Sequence, residues 1–565
     1  MRLDHLDDLD VGFPAPMRPP KTGHADILLR AWDRWGIGAL SRLEGDFAFC
    51  LWDERRQELT LARDALGLRA LHYRQCGGSV AFASMPGQLT PLLDQTDADL
   101  ALLTAYLCGV PELGHASFIR GIRRVRPGHA IVFVRNGGLR EEQWWRPDLS
   151  PIRLSTRDAV EAMRCEFDRA VAAAIATDVP VLAAHLSGGL DSTLVVEAAS
   201  RLLPSSSGLI AITGRIAGEG QLNRRAFEDA PLAKTTAASF PNVRHILAEA
   251  EPESPLDTID RWMSAERPLR HPYNLNWLDS TYEAARAAGA KVLLCGDYGN
   301  ATLSERGESR LQHLAMRFKW FELSRQIRAH RRQRGGSWPG LLATSFGALI
   351  PGPLWSLLLD TWGSGSALVA DSAFLRRSSV QVRKAAATAA SLGYSHHGSP
   401  SKHGWAKGRF LFMQDMDSAP MYHDVRRRFG LEIRDPTAAR RVVELSLRLG
   451  PEHFYDRGGV RLLARRMLRG RVSDSVVDEQ RKGLQATNWL ASATIALDEF
   501  RRELDRIEAY PELAELIDTP ALRRCLDEWP TEGWEDQQQM MLYRQRFTST
   551  VALGRWARRI NERRV

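Results

Sequence analysis

The feature that most constrains the fold of this 565-residue chain is a short glycine-rich segment between an apolar run and a helical one. Residues 181–186 (VLAAHL) predict a strand buried on both faces, residues 193–201 predict a helix, and residues 187–192 (SGGLDS) join them. Two glycines allow a tight turn in which successive backbone N–H groups point at one anion, and the N-terminus of the following helix adds positive potential. The pattern predicts a phosphate-binding loop, with an ordinary glycine-rich turn as the alternative.

The polar side chains of this segment suit a phosphate that is bound together with a cation. Ser187 and Ser192 supply hydroxyl donors. Asp191 would be repelled by phosphate unless a cation lay between them, so we predict Asp191 as a Mg²⁺ ligand. The Walker pattern GxxxxGKS/T is absent from the segment, so it is not a phosphate loop of that kind.

The rest of the chain falls into two patterns on either side of a proline-containing stretch at residues 144–155. Before it, short strands with turns between them are predicted together with a helix at residues 24–35. These strands are residues 47–52, 59–62, 70–73, 80–83 and 130–134. We therefore predict a sheet-rich first domain at residues 1–150 and a second domain at residues 151–565.

The second domain begins with alternating strands and helices. Ser155 or Thr156 is predicted to cap its first helix. The predicted strands are residues 181–186, 209–213, 243–247 and 291–295. Strands buried on both faces and joined by helices predict a parallel α/β sheet. From about residue 303 onward the chain is predicted to be mostly helical.

Composition excludes several classes of protein. The net charge is +8, but arginine is spread along the chain, and no nucleic-acid recognition motif is present, so we expect no nucleic-acid partner. The densest basic cluster, residues 325–334, predicts a helix with a solvated face. Six scattered cysteines without a CxxC pair predict neither structural zinc nor a disulfide framework, and they fit a cytoplasmic location.

No apolar run is long and uninterrupted enough to predict a transmembrane segment. The nearest candidate, residues 341–359, is interrupted by the Pro-Gly-Pro of residues 351–353. We predict a buried helix pair there, with contact to a membrane or a partner as the alternative.

Residues 187–192, placed after a buried strand, resemble the pyrophosphatase loop of the asparagine synthetase family, whose members split ATP into AMP and pyrophosphate. The first domain agrees with this resemblance, because several of its segments resemble the glutaminase domain of the family in order and spacing. These segments are residues 43–49, 52–53, 63–73 and 82–84. The resemblance implies a degenerate, Ntn-hydrolase-like (glutaminase-like) β-rich domain, followed by a Rossmann-like ATP-pyrophosphatase domain of the HUP type with a large helical C-terminal part.

The resemblance also implies ATP and Mg²⁺ as cofactors and a set of site residues. The implied ATP-binding residues are Leu186, Ser187, Gly188, Gly189, Leu190, Asp191, Ser192, Ile212, Cys295 and Gly296. Residues 296–300 (GDYGN) stand where the family has Gly-Glu-Gly-x-Asp-Glu, which puts Asn300 at a metal-ligand position. Asp297 is the implied catalytic group that orients or deprotonates the amine, and a turn-forming aspartate is the alternative.

Two other groups of residues resemble parts of the family site. Residues 228–231 resemble its acidic pair after the second strand, with a helix N-cap as the alternative. His271, Tyr273 and Asn274 are candidates for the acceptor pocket, or else satisfied polar residues near a helix start.

The chain also departs from the glutamine-using members. They carry a nucleophilic Cys directly after the initiator Met, whereas position 2 here is Arg2. We also expect the leading strands that would carry this Cys and grip glutamine to be missing. Since Arg is no nucleophile, we expect no glutamine hydrolysis and an amine from another source.

Residues 481–485 (RKGLQ) and 488–489 (NW) resemble one branch of the family, the lasso-peptide cyclases or macrolactam synthetases. The resemblance implies that Lys482 neutralises pyrophosphate, with a surface turn as the alternative. It also implies that the enzyme adenylates an Asp or Glu side chain of a ribosomal precursor peptide, whose N-terminal amine then closes a macrolactam. A leader peptidase is the implied partner. The alternatives are an ammonia-dependent asparagine synthetase, a small-molecule enzyme of the β-lactam synthetase kind, and a non-catalytic peptide-binding scaffold.

Overall fold

A computed structural model describes most of the chain. It covers residues 1–5, 9, 23–111, 114–135, 137–177, 179, 181–204, 207–216, 229–269, 271–351, 354–355, 357–358, 373–392, 403–481, 483, 485–486, 488–532, 534 and 536–562. The predicted catalytic Lys482 and the first residue of the acidic pair, Glu228, lie outside the described residues.

The N-terminal part is built from short strands, as predicted, and these strands pair antiparallel. They are β1 (Arg2–Asp4), β2 (Glu44–Asp46), β3 (Ala48–Asp53), β4 (Glu58–Arg63), β5 (His72–Cys76), β6 (Ser79–Ala83), β7 (Arg123–Arg124), β8 (His129–Val134) and β9 (Leu139–Gln143). They form sheets with the orders β3-β4-β8-β9, β6-β5-β7 and β1-β2. The helices of this part are α1 (His24–Trp35) and α2 (Leu100–Leu107), so the prediction for residues 24–35 is confirmed.

A leading strand is present, which corrects one expectation. Strand β1 pairs with β2, and within it Arg2 forms ion pairs with Asp4 at 2.9 Å and with Asp46 at 3.1 Å. The strand is only three residues long and carries charged residues, so its sequence shows no apolar strand pattern.

The second part contains a parallel sheet of five strands. They are β10 (Leu182–His185), β11 (Leu209–Ile216), β12 (Val243–Ala250), β13 (Val292–Leu294) and β14 (Glu432–Arg434), in the order β12-β11-β10-β13-β14. Every neighbouring pair is parallel, which confirms the predicted parallel sheet. The sequence did not predict β14, because it is a three-residue strand with two charged residues, far from β13 in the chain.

Helices connect these strands and make up most of the chain beyond residue 303. They are α3 (Thr156–Ile175), α4 (Leu190–Leu202), α5 (Ala230–Ala238), α6 (Pro255–Arg261), α7 (Pro272–Ala287), α8 (Arg310–Met316), α9 (Trp320–Arg334), α10 (Trp338–Phe346), α11 (Val380–Ser391), α12 (Trp405–Asp415), α13 (Ala419–Phe429), α14 (Arg440–Arg448), α15 (Leu462–Leu468), α16 (Asp474–Val477), α17 (Trp489–Ile495), α18 (Leu497–Glu508), α19 (Pro511–Leu516), α20 (Thr519–Asp527), α21 (Gln537–Met540) and, after a π-helical turn at Met541–Phe547, α22 (Thr548–Glu562). Ser155 caps α3 as predicted, because its Oγ accepts a hydrogen bond from Asp158 N at 3.1 Å.

The strand order places a ligand site beside β10. From β10 the chain proceeds through β11 to β12 on one side, and it then returns to β13 on the other side of β10. In an open parallel sheet, loops that leave adjacent strands in opposite directions form a crevice at the carboxyl ends of the strands. The loop after β10 is residues 187–192 and the loop after β13 is residues 296–300, so the fold brings the two predicted site loops together.

A buried ion-pair network joins the N-terminal strands to the helical part. The Asp417 carboxylate accepts hydrogen bonds from Arg63 and from Arg124, each at 2.7 Å. The guanidinium of Arg267 donates to the backbone carbonyl of Asp417. Burial alone would raise the pKa of Asp417, but the three guanidinium charges hold it well below its ordinary value of 3.8. An apolar cluster that includes Leu66, with Phe410 from α12, packs across the same joint.

The predicted buried helix pair at residues 341–359 is wrong for much of that segment. Leu341 is buried in α10, but Leu342 and Leu349 are exposed, as are Leu354 and Leu357. Within the described residues, no helix is long and apolar enough to cross a membrane.

Replacing Asp417 by Asn should loosen this joint. The variant keeps the shape of the side chain but leaves two buried guanidinium groups without a carboxylate, at an expected cost of about 3–5 kcal/mol in the free energy of unfolding. Because the folded pKa of Asp417 is depressed, its stabilising contribution is present above pH 3.8 and lost as the pH falls below it. The variant should therefore also lose part of the acid dependence of stability, as measured by urea denaturation between neutral and acidic pH.

The matched control is Asp148→Asn, because Asp148 is an exposed aspartate with a long ion pair of 3.6 Å to Arg448. It should leave the free energy of unfolding close to that of the unmodified protein, because exposed ion pairs contribute little to stability. Equal effects of the two substitutions would contradict the role of the joint.

Candidate active site

A cavity of about 850 Å³ opens at the crevice between the two loops. Its lining includes all the described residues that were predicted from sequence to bind ATP, metal or the amine. These are Leu186, Ser187, Gly188, Gly189, Leu190, Asp191, Ser192, Ile212, Cys295, Gly296, Asp297 and Asn300. Residues that are separated by more than a hundred positions in the sequence therefore meet at one site.

The loop after β10 is held in shape by its own two serines. Ser187 N donates to Ser192 Oγ at 3.0 Å, and the two hydroxyl groups lie 3.0 Å apart. Gly189 N donates to Ser187 Oγ at 3.1 Å, and Gly189 is also the N-cap of α4. The loop thus presents a helix N-terminus to the cavity, which is the arrangement that favours a bound anion.

Glycine allows the second loop to approach Asp191. A Cβ atom at Gly299 would lie 2.3 Å from Cγ of Asp191, and one at Gly296 would lie 3.3 Å from the Asp191 backbone. The buried Asp191 side chain also accepts a hydrogen bond from Ser304 Oγ at 2.7 Å. The carboxylate is therefore fixed by close contacts with residues that follow β13.

Asp297 is held by a tyrosine from a different part of the chain. Tyr422 OH, on α13, donates to Asp297 Oδ2 at 2.8 Å. Burial and the nearby Asp297 charge raise the pKa of Tyr422 well above its ordinary value, so the hydroxyl stays protonated and continues to donate. Asp297 itself is exposed to the cavity. Beneath the loop, burial and the Asp297 charge raise the pKa of Asp435 to about 8, while Asp435 accepts a hydrogen bond from Tyr298 N at 2.9 Å.

Asn300 faces a guanidinium group. Arg461 donates to Asn300 Oδ1 at 3.4 Å. Burial lowers the pKa of Arg461 below its ordinary value, and the Asp191 charge offsets part of this shift. Arg461 is a non-glycine residue in the left-handed region, with a φ of 57°. A bulky residue in that conformation is uncommon, and such strain concentrates at functional sites.

Two further arginines line the cavity with neutral partners among the described residues. Arg334, at the end of α9, donates to Gln480 Oε1 at 3.2 Å. Arg544 donates to Asn274 Oδ1 at 3.2 Å and to the Gln485 carbonyl at 2.6 Å. Together with Arg461 they add positive charge to the lining of the cavity, which suits phosphate or carboxylate.

The segment that contains Lys482 also lies at this cavity. Arg481, Gly483 and Gln485 line it, and a Cβ atom at Gly483 would lie 2.1 Å from Oδ1 of Asp229, another lining residue. Asp229 also precedes α5 directly as its N-cap residue.

The candidate acceptor residues divide between the cavity and the core. His271 and Asn274 line the cavity, whereas Tyr273 is buried and its hydroxyl lies 3.0 Å from Thr548 Oγ1. Tyr273 is therefore a satisfied core residue. A more apolar part of the wall comes from the side chains of Trp277, Leu278, Met540 and Met541.

Sequence reasoning did not assign several residues to this site, among them Tyr422, Arg461, Arg334 and Arg544. The last three belong to arginine-containing helices and turns that show no motif of their own. Tyr422 lies on α13, just after the ion-paired Asp417, and no local motif links it to Asp297. The left-handed Arg461 has no sequence signal, since glycine would be the expected residue at such a backbone conformation.

The residues present fit both ATP and Mg²⁺. Asp191, Asp229 and Asn300 supply the oxygen ligands that Mg²⁺ prefers, and the loop amides with three arginines suit a triphosphate. No cluster of three or more His, Cys, Asp or Glu side chains forms a ready metal site within the described residues. This donor set suits a metal that arrives with the nucleotide and keeps ligands from its phosphates and from water.

Comparison with known proteins identifies the family at this point. A family model described as asparagine synthase matches residues 162–558, and one described as a glutamine amidotransferase domain matches residues 20–145. The chain belongs to the asparagine synthase family. It has an N-terminal glutamine amidotransferase-like domain and an asparagine synthase domain with a parallel sheet and a helical C-terminal part. This is a family of ATP-dependent, amide-forming ligases.

Curated relatives match only parts of the chain. Asparagine synthetase (glutamine-hydrolyzing) 3 of Bacillus subtilis is 31% identical over 32% of this chain and 29% of its own length. A putative asparagine synthetase (glutamine-hydrolyzing) of Mycobacterium tuberculosis is 32% identical over 40% of this chain and 34% of its own length. Amidase chry2 of Gibberella zeae is 27% identical over 48% of this chain and 41% of its own length. The chain thus spans less than half the length of each of these relatives.

A solved structure, the glutamine phosphoribosylpyrophosphate amidotransferase of B. subtilis complexed with ADP and GMP, matches at 14% identity. The match covers 40% of this chain and 55% of that one, with a TM-score of 0.16. That score is too low to support an argument about the fold.

Replacing Gly299 by Ala should weaken nucleotide binding strongly. The added Cβ would overlap the Asp191 side chain, so the carboxylate or the whole loop after β13 has to move. Isothermal titration with ATP and Mg²⁺ should show a loss of at least about tenfold in affinity. The control is Gly78→Ala, since a Cβ there meets nothing within 4 Å. Unchanged affinity in Gly299→Ala would contradict the close packing of the two loops.

Proposed function

We propose that this protein is a lasso-peptide cyclase. It adenylates the side-chain carboxylate of an Asp or Glu in a precursor peptide whose leader has been removed, and the N-terminal amine of that peptide then forms an isopeptide macrolactam. AMP and pyrophosphate are released. As part of this proposal, the first domain is a degenerate glutaminase of the Ntn type, the second is an ATP-pyrophosphatase domain of the HUP type, and a leader peptidase supplies the substrate.

One observation carries the proposal. Arg481, Gly483 and Gln485 belong to the segment that resembles the peptide cyclases, and they line the same cavity as the phosphate loop 187–192. The neighbouring wall contains Met540 and Met541, whose flexible side chains adapt to a varied ligand surface. A free amino acid would not need so long an apolar wall.

The first step is nucleotide activation. ATP lies with its phosphates against the amides of residues 187–192, and adenine lies near Ile212 and the Cys295–Gly296 backbone. Asp191, together with Asn300 and Asp229, would hold Mg²⁺, which would supply positive charge that screens the phosphates. Burial and the Asp297 charge raise the pKa of Cys295 well above its ordinary value, so this thiol stays neutral beside the nucleotide.

The second step is transfer of the nucleotidyl group. A substrate carboxylate oxygen forms a bond to the α-phosphorus, and the bond from that phosphorus to the bridging oxygen of pyrophosphate breaks. Arg461 and Arg334 face the leaving pyrophosphate, and Lys482 is proposed to join them. Fixed cations at the point where charge develops lower the barrier more than mobile solvent does.

The third step is capture by the amine. The peptide nitrogen forms a bond to the acyl carbon, the bond from that carbon to the AMP oxygen breaks, and one proton passes from nitrogen to Asp297. Tyr422 holds Oδ2 of Asp297 at 2.8 Å, so the carboxylate is oriented before the amine arrives. A pre-folded peptide supplies high effective concentration of the amine, and exclusion of water protects the adenylate.

A second candidate is an asparagine synthetase that acts on aspartate. The curated relatives favour it, because two of those described above are named asparagine synthetases. In that reading the adenylation chemistry is the same, but the acceptor is ammonia. A non-catalytic scaffold fits less well, since a scaffold has no use for a preorganised anion-binding loop.

The test uses the purified full chain with ATP, Mg²⁺ and the trimmed precursor peptide encoded beside its gene. We expect release of AMP and pyrophosphate, with a peptide product that has lost one water by mass spectrometry. Turnover of aspartate and ammonia with no change of the peptide would support the second candidate and contradict the first. The absence of pyrophosphate release with either substrate would contradict both enzyme candidates and support the non-catalytic scaffold.

Replacing Tyr422 by Phe should separate the two chemical steps. The loss of a charge-assisted hydrogen bond to Asp297 should slow amide formation by at least about tenfold, because orienting bonds to charged groups contribute about 1.5–3 kcal/mol. ATP–pyrophosphate exchange, which reports adenylation alone, should stay close to that of the unmodified protein. The control is Tyr510→Phe, at a tyrosine remote from the cavity. Equal slowing of both steps by Tyr422→Phe would argue against the role given to Asp297.

A further inference from the structure

A patch of exposed apolar side chains lies on helices α8 to α10 and the residues that follow. We call it the aromatic surface, and it consists of Phe318, Trp320, Phe321, Trp338, Leu342, Leu349, Leu354 and Leu357. Phe321 is 96% exposed and Phe318 is 72% exposed. Soluble proteins seldom expose clustered large apolar side chains without an interaction that uses them.

Two aromatic members, Phe318 and Trp320, are in ring contact with each other, and Trp320 also contacts the partly buried Phe346. The rings of Phe318 and Trp320 lie 5.5 Å apart edge to face, and the rings of Trp320 and Phe346 stack at 6.0 Å. The guanidinium of Arg331 lies 4.7 Å from the ring of Trp338. The ring contacts thus connect helices α9 and α10, and a basic group lies beside Trp338.

Phenylalanine is not the residue that the backbone conformation at position 318 favours. Phe318 N bonds to Ala315 O and Lys319 N bonds to Leu314 O, each at 3.0 Å, which is the hydrogen-bond pattern of a Schellman motif after α8. Its φ of 56° lies in the left-handed region, where glycine is the favoured residue. The chain tolerates backbone strain at this turn and exposes an aromatic ring there.

The segment around the aromatic surface is strongly basic. Residues 316–358 contain seven Arg or Lys residues and a single acidic residue, Glu322, which gives this segment a net charge of +6. One of the seven, Arg334, lines the active-site cavity, so six basic residues remain for the surface. Glu322 already forms ion pairs with Arg310 at 3.2 Å and with Arg325 at 2.5 Å. Arg328 donates only to Ser324 among the described residues.

We propose that the aromatic surface docks on an anionic membrane surface. Exposed Phe, Trp and Leu beside Arg and Lys suit the interface of a bilayer with negatively charged headgroups. A protruding side chain is able to enter a fluid lipid interface that has no pocket of matching shape. A protein partner would have to provide a pocket for a ring as exposed as that of Phe321. The attachment is peripheral, since no described helix is able to span a bilayer.

This surface lies apart from the chemistry. Helix α9 begins at Trp320 on the surface and ends at Arg334 in the active-site cavity, and its fifteen residues span about 22 Å. None of the eight residues of the aromatic surface lines that cavity. Membrane docking is therefore independent of the proposed cyclase activity, and either inference can fail while the other stands.

The test is co-sedimentation of the full chain with vesicles of phosphatidylglycerol and phosphatidylcholine in equal parts, compared with pure phosphatidylcholine. We expect binding to the anionic vesicles and little to the neutral ones. Replacing Phe318 and Phe321 by Ser should lower the vesicle affinity by about tenfold or more, because each ring no longer enters the interface. The matched control is Phe412→Ser, an exposed phenylalanine on α12 outside the surface, which should bind as the unmodified chain does.

A second variant separates docking from folding. Phe318→Gly relieves the left-handed strain, so its melting temperature should rise while its vesicle affinity falls. Raising the salt from about 0.1 M to about 1 M should weaken binding, because the Debye length falls from about 10 Å to about 3 Å.

Three outcomes would overturn the proposal. They are equal binding to neutral and anionic vesicles, no loss of binding in the double variant, and retention of an acidic protein partner with no vesicle binding at all.

Discussion

The contact between Asp191 and the glycines after β13 is the constraint on which the rest of the site depends. Strand β10 lies at the centre of the parallel sheet, and the chain leaves β10 and β13 in opposite directions. This reversal opens a crevice, but only a loop without a side chain at Gly299 is able to come within contact of the Asp191 carboxylate. The amides of residues 187–192, Asp191 and Asp297 consequently share one cavity, as the proposed activation of a carboxylate with ATP requires.

The first domain influences this cavity although its residues do not line it. Arg63 lies in the segment that resembles a glutaminase pattern, and here its guanidinium donates to Gly67 O at 2.6 Å and to Asp417 at 2.7 Å. Asp417 precedes α13, the helix that presents Tyr422 to Asp297. An arginine of the amidotransferase-like domain thus helps to fix a side chain of the active site through one buried carboxylate. The domain contributes structure to the site whether or not it retains a reaction of its own.

Much of this arrangement could be predicted from the sequence, because its signals are local. The apolar runs predicted four of the five parallel strands, and the motif SGGLDS predicted the loop that lines the cavity. The structure also places Asp297 and Asn300 at that cavity, although their chemical roles stay predictions. The division of the chain at residue 150 and the role of Lys482 likewise stay predictions.

The remaining features depend on contacts between distant residues, which no local pattern encodes. Strand β14 is too short to show periodicity, and it forms because β13 offers an unpaired edge. Arg461 reaches Asn300 through a left-handed backbone, and Tyr422 reaches Asp297 across 125 positions of sequence. The exposed leucines after α10 were predicted to be buried because apolar composition alone does not tell a core face from an interaction surface.

The most direct measurement of the central claim is a crystal structure with an ATP analogue that cannot be cleaved between the α- and β-phosphates, together with Mg²⁺. Our account predicts phosphate density within hydrogen-bonding distance of the amides of residues 187–192, with the metal between the phosphates and Asp191. Phosphates bound elsewhere, or a metal that does not contact Asp191, would contradict it.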